Sequence, residues 1–247
     1  MDIGTAKPSA ADRAAVPHYL LDVVNPNERF TAADFKLWAS RLVADIGERG
    51  KLPIIVGGTG LYVDSFLFNY QFGADVDLEQ RTKLQAMNVE ELQEICSKNG
   101  IEMPQNAKNK RHLVRAIELG GVMNQPKVLR PNTLVVGVSL SRDELHSRIQ
   151  ERAHSMFNDG IVAEVKRLAE KYGWDNEAMT ANIYSVLKGV IEGSKSEAEA
   201  LDEFVRSDMS LAKRQLTWFK RNPHIIWGTA SELNKEISAF LAPPISS

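Results

Sequence analysis

The feature that most constrains the fold of this chain is an apolar run that leads through two glycines directly into a helical pattern. LPIIVGG at 52–58 predicts a short buried strand, and TGLYVDSFLF at 59–68 predicts a helix that opens from the glycine turn. Further apolar runs that predict strands are YLLDVV at 19–24, TLVVGVSL at 133–140 and HIIWG at 224–228. Buried strands joined by helices are typical of an α/β protein with a parallel sheet and helices on both faces.

Helical patterns occupy the segments between these runs. Residues 31–50 follow Thr31 as N-cap, residues 141–160 follow Ser141 as N-cap, and a long helix is expected at about 196–221. A stretch of short helical patterns without strand signals lies in the middle of the chain. The predicted organisation is a discontinuous α/β core at 1–70 and 131–230, a small helical insertion at 71–130 and a C-terminal tail at 231–247.

Composition excludes several classes of protein. The formal net charge is −2, from 30 basic and 32 acidic side chains, so any nucleic-acid surface has to be a local patch. Cys96 is the only cysteine, which excludes an intramolecular disulfide and a cysteine-based structural zinc site. No stretch approaches the roughly 20 apolar residues that a membrane helix needs. We expect a cytoplasmic globular protein, and charge alone leaves open a metabolic protein that binds no nucleic acid.

VGGTGLY at 56–62 places backbone N–H groups and the Thr59 hydroxyl at the expected carboxyl edge of the sheet. Anions bind at such edges, because the first N–H groups of a helix are unpaired and its dipole favours negative charge. The alternative is a tight turn in which Thr59 only caps the helix. The segment is not a Walker A motif, because no Lys-Ser or Lys-Thr follows at the required spacing.

Two segments carry dense positive charge. SLAKRQLTWFKRNP at 210–223 combines cations with aromatic residues, and KNKRHLVRAIE at 108–118 sets Arg111 and Arg115 one helical turn apart, with Leu113 on the buried side. Cations beside aromatics suggest contacts with a phosphate backbone. The alternatives are cations that complement a helix dipole in the first segment, and an ordinary solvated face in the second.

Arg148 and Arg152 also lie one turn apart, on the helix expected at 141–160. Arginines in this arrangement can bind phosphate oxygens in a bidentate manner. They can equally be surface residues paired with Glu144 and Glu151.

Taken together, six segments occur in the order seen in the tRNA dimethylallyltransferases, a family that the chain resembles over about residues 2 to 227. They are DIGTAKP at 2–8, PHYLLDVVNPNERFTAADF at 17–35, LPIIVGGTGLY at 52–62, KRHLVRAIE at 110–118, RAHSMFNDGIVAEV at 152–165 and LAKRQLTWFKRNP at 211–223. Six ordered motifs are far more specific than any one of them.

The resemblance implies a P-loop NTPase-like core with a helical insertion that holds the anticodon stem-loop of tRNA. It implies transfer of a dimethylallyl group from dimethylallyl diphosphate to the exocyclic amine of the adenosine 3′ of the anticodon. The target base is flipped into a channel, and Mg²⁺ assists the diphosphate leaving group. We therefore expect tRNA, dimethylallyl diphosphate and Mg²⁺ as partners, no membrane association, and a monomer.

The resemblance also assigns roles to residues of this chain by position. Those implied to contact tRNA are Thr59, Arg81, Arg111, His112, Arg115, Tyr184, Lys213, Arg214 and Gln215. The residue implied to contact the diphosphate is Arg152.

The chain departs from the family pattern at its start. The family opens with a strand, a GxTxxGK[ST] loop, a helix and a DSxQ segment that carries the general-base aspartate, and all of these precede the equivalent of Met1. We therefore expect an N-terminally truncated core in which no catalytic residue can be assigned. The family's AIGY segment is Ala181-Asn182-Ile183-Tyr184 here. Two alternatives stay open: an inactive remnant that binds tRNA, and a nucleotide kinase relative with the same core.

Overall fold

The computed structural model describes residues 1–72, 78–120 and 128–242. The chain divides into two compact units: Met1–Val63 with the chain from Pro131 onward, called the α/β unit, and Asp64–Arg130, called the helical unit. The helices are α1 (Ala10–Ala15), α2 (Ala32–Glu48), α3 (Gly60–Leu67), α4 (Leu78–Ala86), α5 (Val89–Lys98), α6 (Lys110–Glu118), α7 (Arg142–Asn158), α8 (Ile161–Tyr172), α9 (Asn182–Ile191), α10 (Glu197–Phe219) and α11 (Ala230–Leu241), with a short 3-10 helix at Ala178–Thr180. The strands are β1 (Val135–Val138) and β2 (Ile225–Gly228). Among the residues described, no helix is long and apolar enough to cross a membrane.

The main core of the α/β unit lies among α7, α8, α9 and α10. The side chains of Ser141 and Ser196 cap α7 and α10. Gly160 has a φ of 90°, a conformation that suits glycine and lets α8 follow α7 directly. Helix α10 packs on α7 and α9, and α8 packs on α9. The buried side chains include Ile149, Ala153, Met156, Ile161, Val165, Leu168, Ile183, Leu187 and Phe204. The predicted helices at 141–160 and 196–221 are confirmed.

The two strands of the sheet pair in parallel, with Gly137 opposite Trp227. A side chain at position 137 would not fit, because a Cβ there would lie 2.5 Å from the Trp227 ring. Helix α11 packs against both strands. The predicted strands at 133–140 and 224–228 are confirmed with shorter bounds.

Two predicted strands are wrong. Within 19–24, Leu20 and Asp22 have φ values of 60° and 55°, which interrupt an extended chain. The segment 52–58 pairs with no strand among the described residues, and Val56 is 90% exposed. A strand is held by a ladder of hydrogen bonds to a neighbouring strand, so an apolar, β-branched composition does not form one alone.

The helical unit has a core of its own between α4, α5 and α6. Its buried side chains are Leu84, Leu92, Cys96, Leu113 and Val114. Asn88 caps α5 in a capping box with Glu91. Burial raises the pKa of the Cys96 thiol, as expected for a cysteine that packs in a core. The unit begins at Asp64, before the predicted start of the insertion at residue 71.

The predicted C-terminal tail begins too early. Residues 230–241 form α11, whose N-cap Thr229 forms a capping box with Glu232. Leu233 is 3% exposed, so this helix is anchored by its apolar face. The tail prediction for residues 243–247 falls outside the described residues.

Candidate functional site

Arg152 on α7 is held by a carboxylate from α10. Its guanidinium donates a hydrogen bond to Asp208, and Asp208 also accepts from the Asn182 side chain at 2.7 Å. The Asp208 side chain is 10% exposed, whereas that of Arg152 is 46% exposed. Because a guanidinium has five N–H donors in a planar fork, Arg152 keeps donors for an anion on its exposed side.

A pocket of about 440 Å³ lies between α7 and the N-terminal segment. Three cationic side chains line it: Lys7, Arg13 and Arg152. The carboxylates of Asp2 and Asp159 line it as well. Its volume is in the range of small-molecule sites, and its cations suit a compact anion such as a diphosphate.

Lys7 is fixed in this pocket by the carboxylates of Asp2 and Asp22. Burial opposes its charge, but the hydrogen bonds to the two carboxylates outweigh burial, and the pKa of Lys7 is raised. The hydrogen bond from Lys7 also holds the pKa of Asp2 below its ordinary value. Lys7 therefore remains an ammonium at neutral pH.

Glu164 on α8 anchors the N-terminal turn that forms one wall of the pocket. Its carboxylate accepts hydrogen bonds from the backbone N–H groups of Asp2, Ile3 and Gly4, at 2.8, 3.0 and 3.1 Å. It also accepts from the Tyr184 hydroxyl at 2.8 Å. A Cβ at Gly4 would lie 2.6 Å from the phenol of Tyr184, so the turn fits against the ring only with glycine there.

The pKa values of this pair reflect the same contacts. Burial acts to raise the pKa of Glu164, but the three backbone N–H donors and Tyr184 outweigh it, and the pKa is lowered. Burial and the neighbouring carboxylate raise the pKa of Tyr184. Glu164 is therefore a charged acceptor and Tyr184 a neutral donor at physiological pH.

The glycine turn of VGGTGLY packs against α10, so this motif meets the motif LAKRQLTWFKRNP at 211–223. A Cβ on Gly58 would overlap the Gln215 side chain, and one on Gly60 would overlap the Trp218 ring. The carbonyl of Thr59 accepts N–H groups from the first turn of α3, and its side chain is exposed. Gly58 and Gly60 therefore allow the start of α3 to lie close to α10.

Glu118 joins two arginines in the helical unit. Arg81 on α4 donates through Nε and Nη2 to the two carboxylate oxygens, at 2.7 and 3.0 Å. Arg115 on α6 donates through Nη1 at 3.1 Å. The Glu118 side chain is 4% exposed, those of Arg81 and Arg115 are 24% and 34% exposed, and Arg111 and His112 are exposed on α6. The basic surface of this unit, defined by Arg81, Arg111, His112 and Arg115, is thus anchored by one buried carboxylate.

No group of three or more His, Cys, Asp and Glu side chains could hold a metal ion in the part of the chain that is described. Magnesium is usually held by one or two carboxylates together with the phosphates of a substrate. Two carboxylates, those of Asp2 and Asp159, line the Arg152 pocket, and that of Asp2 is already bound by Lys7. Mg²⁺ itself stays a prediction.

Comparison with known proteins decides the family. The sequence model of the family described as IPP transferase matches residues 1–222. The chain belongs to the IPP transferase family. This membership confirms the resemblance to tRNA dimethylallyltransferases drawn from the six ordered motifs.

Other members of the IPP transferase family are similar to this chain over most of its length. A tRNA dimethylallyltransferase of Staphylococcus haemolyticus is 37% identical over 92% of this chain and 74% of its own length. One from Anoxybacillus flavithermus is 36% identical over 92% of this chain and 77% of its own length.

Solved IPP transferase structures are similar as well. The tRNA isopentenylpyrophosphate transferase of Bacillus halodurans matches with a TM-score of 0.71 and 33% identity, over 98% of this chain and 82% of that one. A eukaryotic dimethylallyltransferase acting on tRNA matches with a TM-score of 0.77 and 20% identity, over 100% of this chain and 71% of that one. The second likeness supports the fold alone. The predicted α/β class with its P-loop-like core is thereby confirmed.

The residues that the sequence assigns to tRNA fall into three settings in this IPP transferase. Those of the helical unit are Arg81, Arg111, His112 and Arg115. Those around the glycine turn and α10 are Thr59, Lys213, Arg214 and Gln215, with Lys213 and Arg214 exposed. Tyr184 is 1% exposed and would have to leave the core to touch tRNA. All nine assignments stay predictions.

Sequence reasoning missed three anchoring carboxylates, namely Asp208, Glu164 and Glu118. Glu164 lies within the apolar stripe of α8, between Ile161 and Leu168, and an acidic residue on a buried stripe is the signal that could have found it. Glu118 follows Arg115 by one turn, but its burial depends on Arg81, which is distant in sequence.

Proposed function

We propose that this chain acts as a tRNA dimethylallyltransferase, which transfers a dimethylallyl group from dimethylallyl diphosphate to the exocyclic amine of the adenosine 3′ of the anticodon. Its membership of the IPP transferase family supports this function. The names of its relatives support it too, since they are tRNA dimethylallyltransferases at 34–37% identity over more than nine-tenths of the chain.

The observation that carries the proposal is the cationic pocket around Arg152. Transfer of the prenyl group breaks the bond between the allylic carbon and the diphosphate oxygen, and the electron pair leaves with the diphosphate. A bond forms between that carbon and the adenosine nitrogen, which releases one proton. Arg152, Arg13 and Lys7 line this pocket and are the cations proposed to stabilise the negative charge that develops on the leaving group.

The ion pair with Asp208 also orients Arg152 for binding the diphosphate. Because one edge of the guanidinium is bound, the side chain is already oriented before an anion arrives. When bound with the diphosphate, Mg²⁺ would neutralise part of its charge, and Asp159 is the pocket carboxylate that would hold it, since Asp2 is paired with Lys7.

The helical unit supplies the surface proposed to bind the anticodon stem-loop. Arg81, Arg111 and Arg115 lie on α4 and α6 with side chains that solvent reaches. Guanidinium groups bind phosphate oxygens strongly and supply most of the affinity for a nucleic-acid backbone. In the α/β unit, the proposed tRNA contacts are Thr59, Lys213, Arg214 and Gln215, of which Gln215 packs against Gly58.

Replacing Arg152 tests the proposal, with Arg148 as matched control. Arg148 lies one turn earlier on α7, where it pairs with Glu144 at 2.8 Å and does not line the pocket. We expect Arg152→Ala to lower the turnover number for prenylation by about 100-fold or more, the usual effect of removing one donor to a developing charge. Arg148→Ala should stay within about twofold, because an exposed pair of this kind contributes little.

The variant Arg152→Lys, which keeps the positive charge, distinguishes a loss of catalysis from a loss of folding. Arg152→Lys keeps a cation beside Asp208 but loses the planar fork, so we expect a loss of turnover smaller than that of the alanine variant. If Arg152→Ala and Arg148→Ala turn over equally, Arg152 does not contact the diphosphate. If wild-type protein binds tRNA but no variant and no wild-type preparation turns over, the inactive tRNA-binding alternative replaces the proposal.

Because tRNA is the proposed substrate, we also propose that the protein works in the cytoplasm. The expectation of a monomer stays a prediction.

A further inference from the structure

We propose that Glu118 is a positioning residue for tRNA binding: it holds Arg81 and Arg115 in one fixed arrangement so that their remaining N–H groups face the RNA backbone. The proposal rests on the proposed function, because it takes tRNA to be the ligand of the helical unit. Glu118 is negatively charged, so it would repel the RNA backbone if it touched it. We therefore propose that it acts through Arg81 and Arg115.

Glu118 binds two arginines of this surface at once and is itself buried beneath them. Its two carboxylate oxygens accept three hydrogen bonds, two from Arg81 and one from Arg115. Since the Glu118 side chain is 4% exposed, it cannot meet a bound ligand itself. The two arginines come from different helices, so one carboxylate fixes the spacing between cations on α4 and α6.

The donors that remain are suited to phosphate. Among the residues that the structure describes, Arg81 uses Nε and one N–H of Nη2, both for Glu118, which leaves three of its five N–H groups. Toward the same described residues, Arg115 uses one N–H of Nη1 and keeps four. Both side chains reach solvent, at 24% and 34% exposure. A guanidinium that is already oriented loses less conformational freedom when it binds an anion.

The charge pattern of α6 is a second and independent observation. Lys110, Arg111 and His112 occupy its first turn, which contains no acidic residue, and Glu118 is its last residue. Cations in the first turn and an anion at the last residue oppose the helix dipole, whereas Arg115 in the last turn agrees with it, since anions stabilise the N-terminus and cations the C-terminus. The dipole therefore does not account for the cations of the first turn or for Glu118, whereas a cationic surface with a buried carboxylate anchor does.

Two explanations of Glu118 predict opposite effects for the same substitution. If Glu118 only lowers the positive charge of the surface, Glu118→Gln adds one unit of net positive charge and should strengthen tRNA binding and steepen its salt dependence. If Glu118 positions the arginines, the same variant should bind more weakly. The matched control is Glu102→Gln, which makes the same charge change at an exposed site of the same unit.

The measurement is the dissociation constant of an anticodon stem-loop RNA for the full chain over a range of salt concentrations, by fluorescence anisotropy. We expect Glu118→Gln to weaken binding about fivefold or more at each salt concentration and Glu102→Gln to stay within about twofold. The turnover number at saturating RNA should be unchanged, because the effect lies in binding. Binding by Glu118→Gln that equals or exceeds that of the control overturns the proposal.

A second pair of variants decides the outcome if Glu118→Gln does not fold, as judged by circular dichroism. Arg81→Lys and Arg111→Lys both keep their charge, but only Arg81 holds Glu118 through two hydrogen bonds. We expect Arg81→Lys to weaken RNA binding by at least about threefold more than Arg111→Lys, and equal losses overturn the proposal. Failure of the wild-type chain to bind the RNA even at low salt is a separate outcome, which refutes tRNA as the ligand.

Discussion

Replacing Glu164 by glutamine tests whether the N-terminal turn is held by a charged acceptor. Four hydrogen bonds end on this carboxylate, three from the backbone of residues 2–4 and one from Tyr184. Glutamine has one acceptor oxygen in place of two, so two of the four bonds are lost. Hydrogen bonds to a charged group contribute about 1.5–3 kcal/mol each. We expect the free energy of unfolding to fall by about 3 kcal/mol, which is the lower end of the range for two such bonds, because the freed N–H groups can reach water.

The pH dependence of this loss has a definite sign. The folded-state pKa of Glu164 is lowered from its ordinary value of 4.5. Its contribution to the free energy of unfolding is therefore fully present above about pH 4.5 and declines as pH falls through the folded-state pKa. The difference in stability between wild type and Glu164→Gln should thus be large at pH 7 and shrink below pH 4.5.

The assay is urea unfolding followed by tryptophan fluorescence, at neutral and acidic pH, with amide hydrogen exchange of the N-terminal peptide. Glu170→Gln makes the same charge change at an exposed position of the same helix and should cost less than about 0.5 kcal/mol. Tyr184→Phe removes one of the four bonds and should lower the free energy of unfolding by about 1.5–3 kcal/mol. A loss below about 1 kcal/mol at pH 7 for Glu164→Gln, or one that is independent of pH, would refute the charged-acceptor account.

Two further predictions follow from close contacts and charge. Gly4→Ala places a methyl group 2.6 Å from the buried Tyr184 phenol, so we expect a loss of about 1–3 kcal/mol by thermal unfolding. Gly57→Ala, which meets no atom within 4 Å, is its control, and an equal effect of the two would contradict the packing argument. Arg111→Ala should lower the slope of log affinity against log salt for stem-loop RNA by about 0.7–0.9, the value for one phosphate contact. An unchanged slope would remove Arg111 from the RNA surface.

The elements that could be predicted from the sequence are those that local signals determine. Thr31 and Ser141 cap α2 and α7 where their capping patterns indicate, because a cap is formed by residues within one turn. The amphipathic helix around Arg111 and Arg115 also lies where expected, with Leu113 buried. The six ordered motifs identify the family from the sequence alone.

The features that could not be predicted depend on partners distant in the chain. A strand at 52–58 needs a neighbouring strand to pair with, which its own apolar composition cannot supply. Glu164 becomes an anchor only because the backbone of residues 2–4 reaches it across about 160 positions. Glu118 is buried by Arg81 from another helix, 37 positions away. Spacing within a motif contains no information about such contacts.

The most direct test of the proposed activity is to incubate the purified chain with anticodon stem-loop RNA, dimethylallyl diphosphate and Mg²⁺, and to analyse the RNA by mass spectrometry of its nucleosides. The control RNA carries guanosine in place of the adenosine 3′ of the anticodon. The account predicts one dimethylallyl unit on that adenosine, with release of diphosphate, and none on the control RNA. RNA that is bound but unmodified, or modified equally in both substrates, would contradict it.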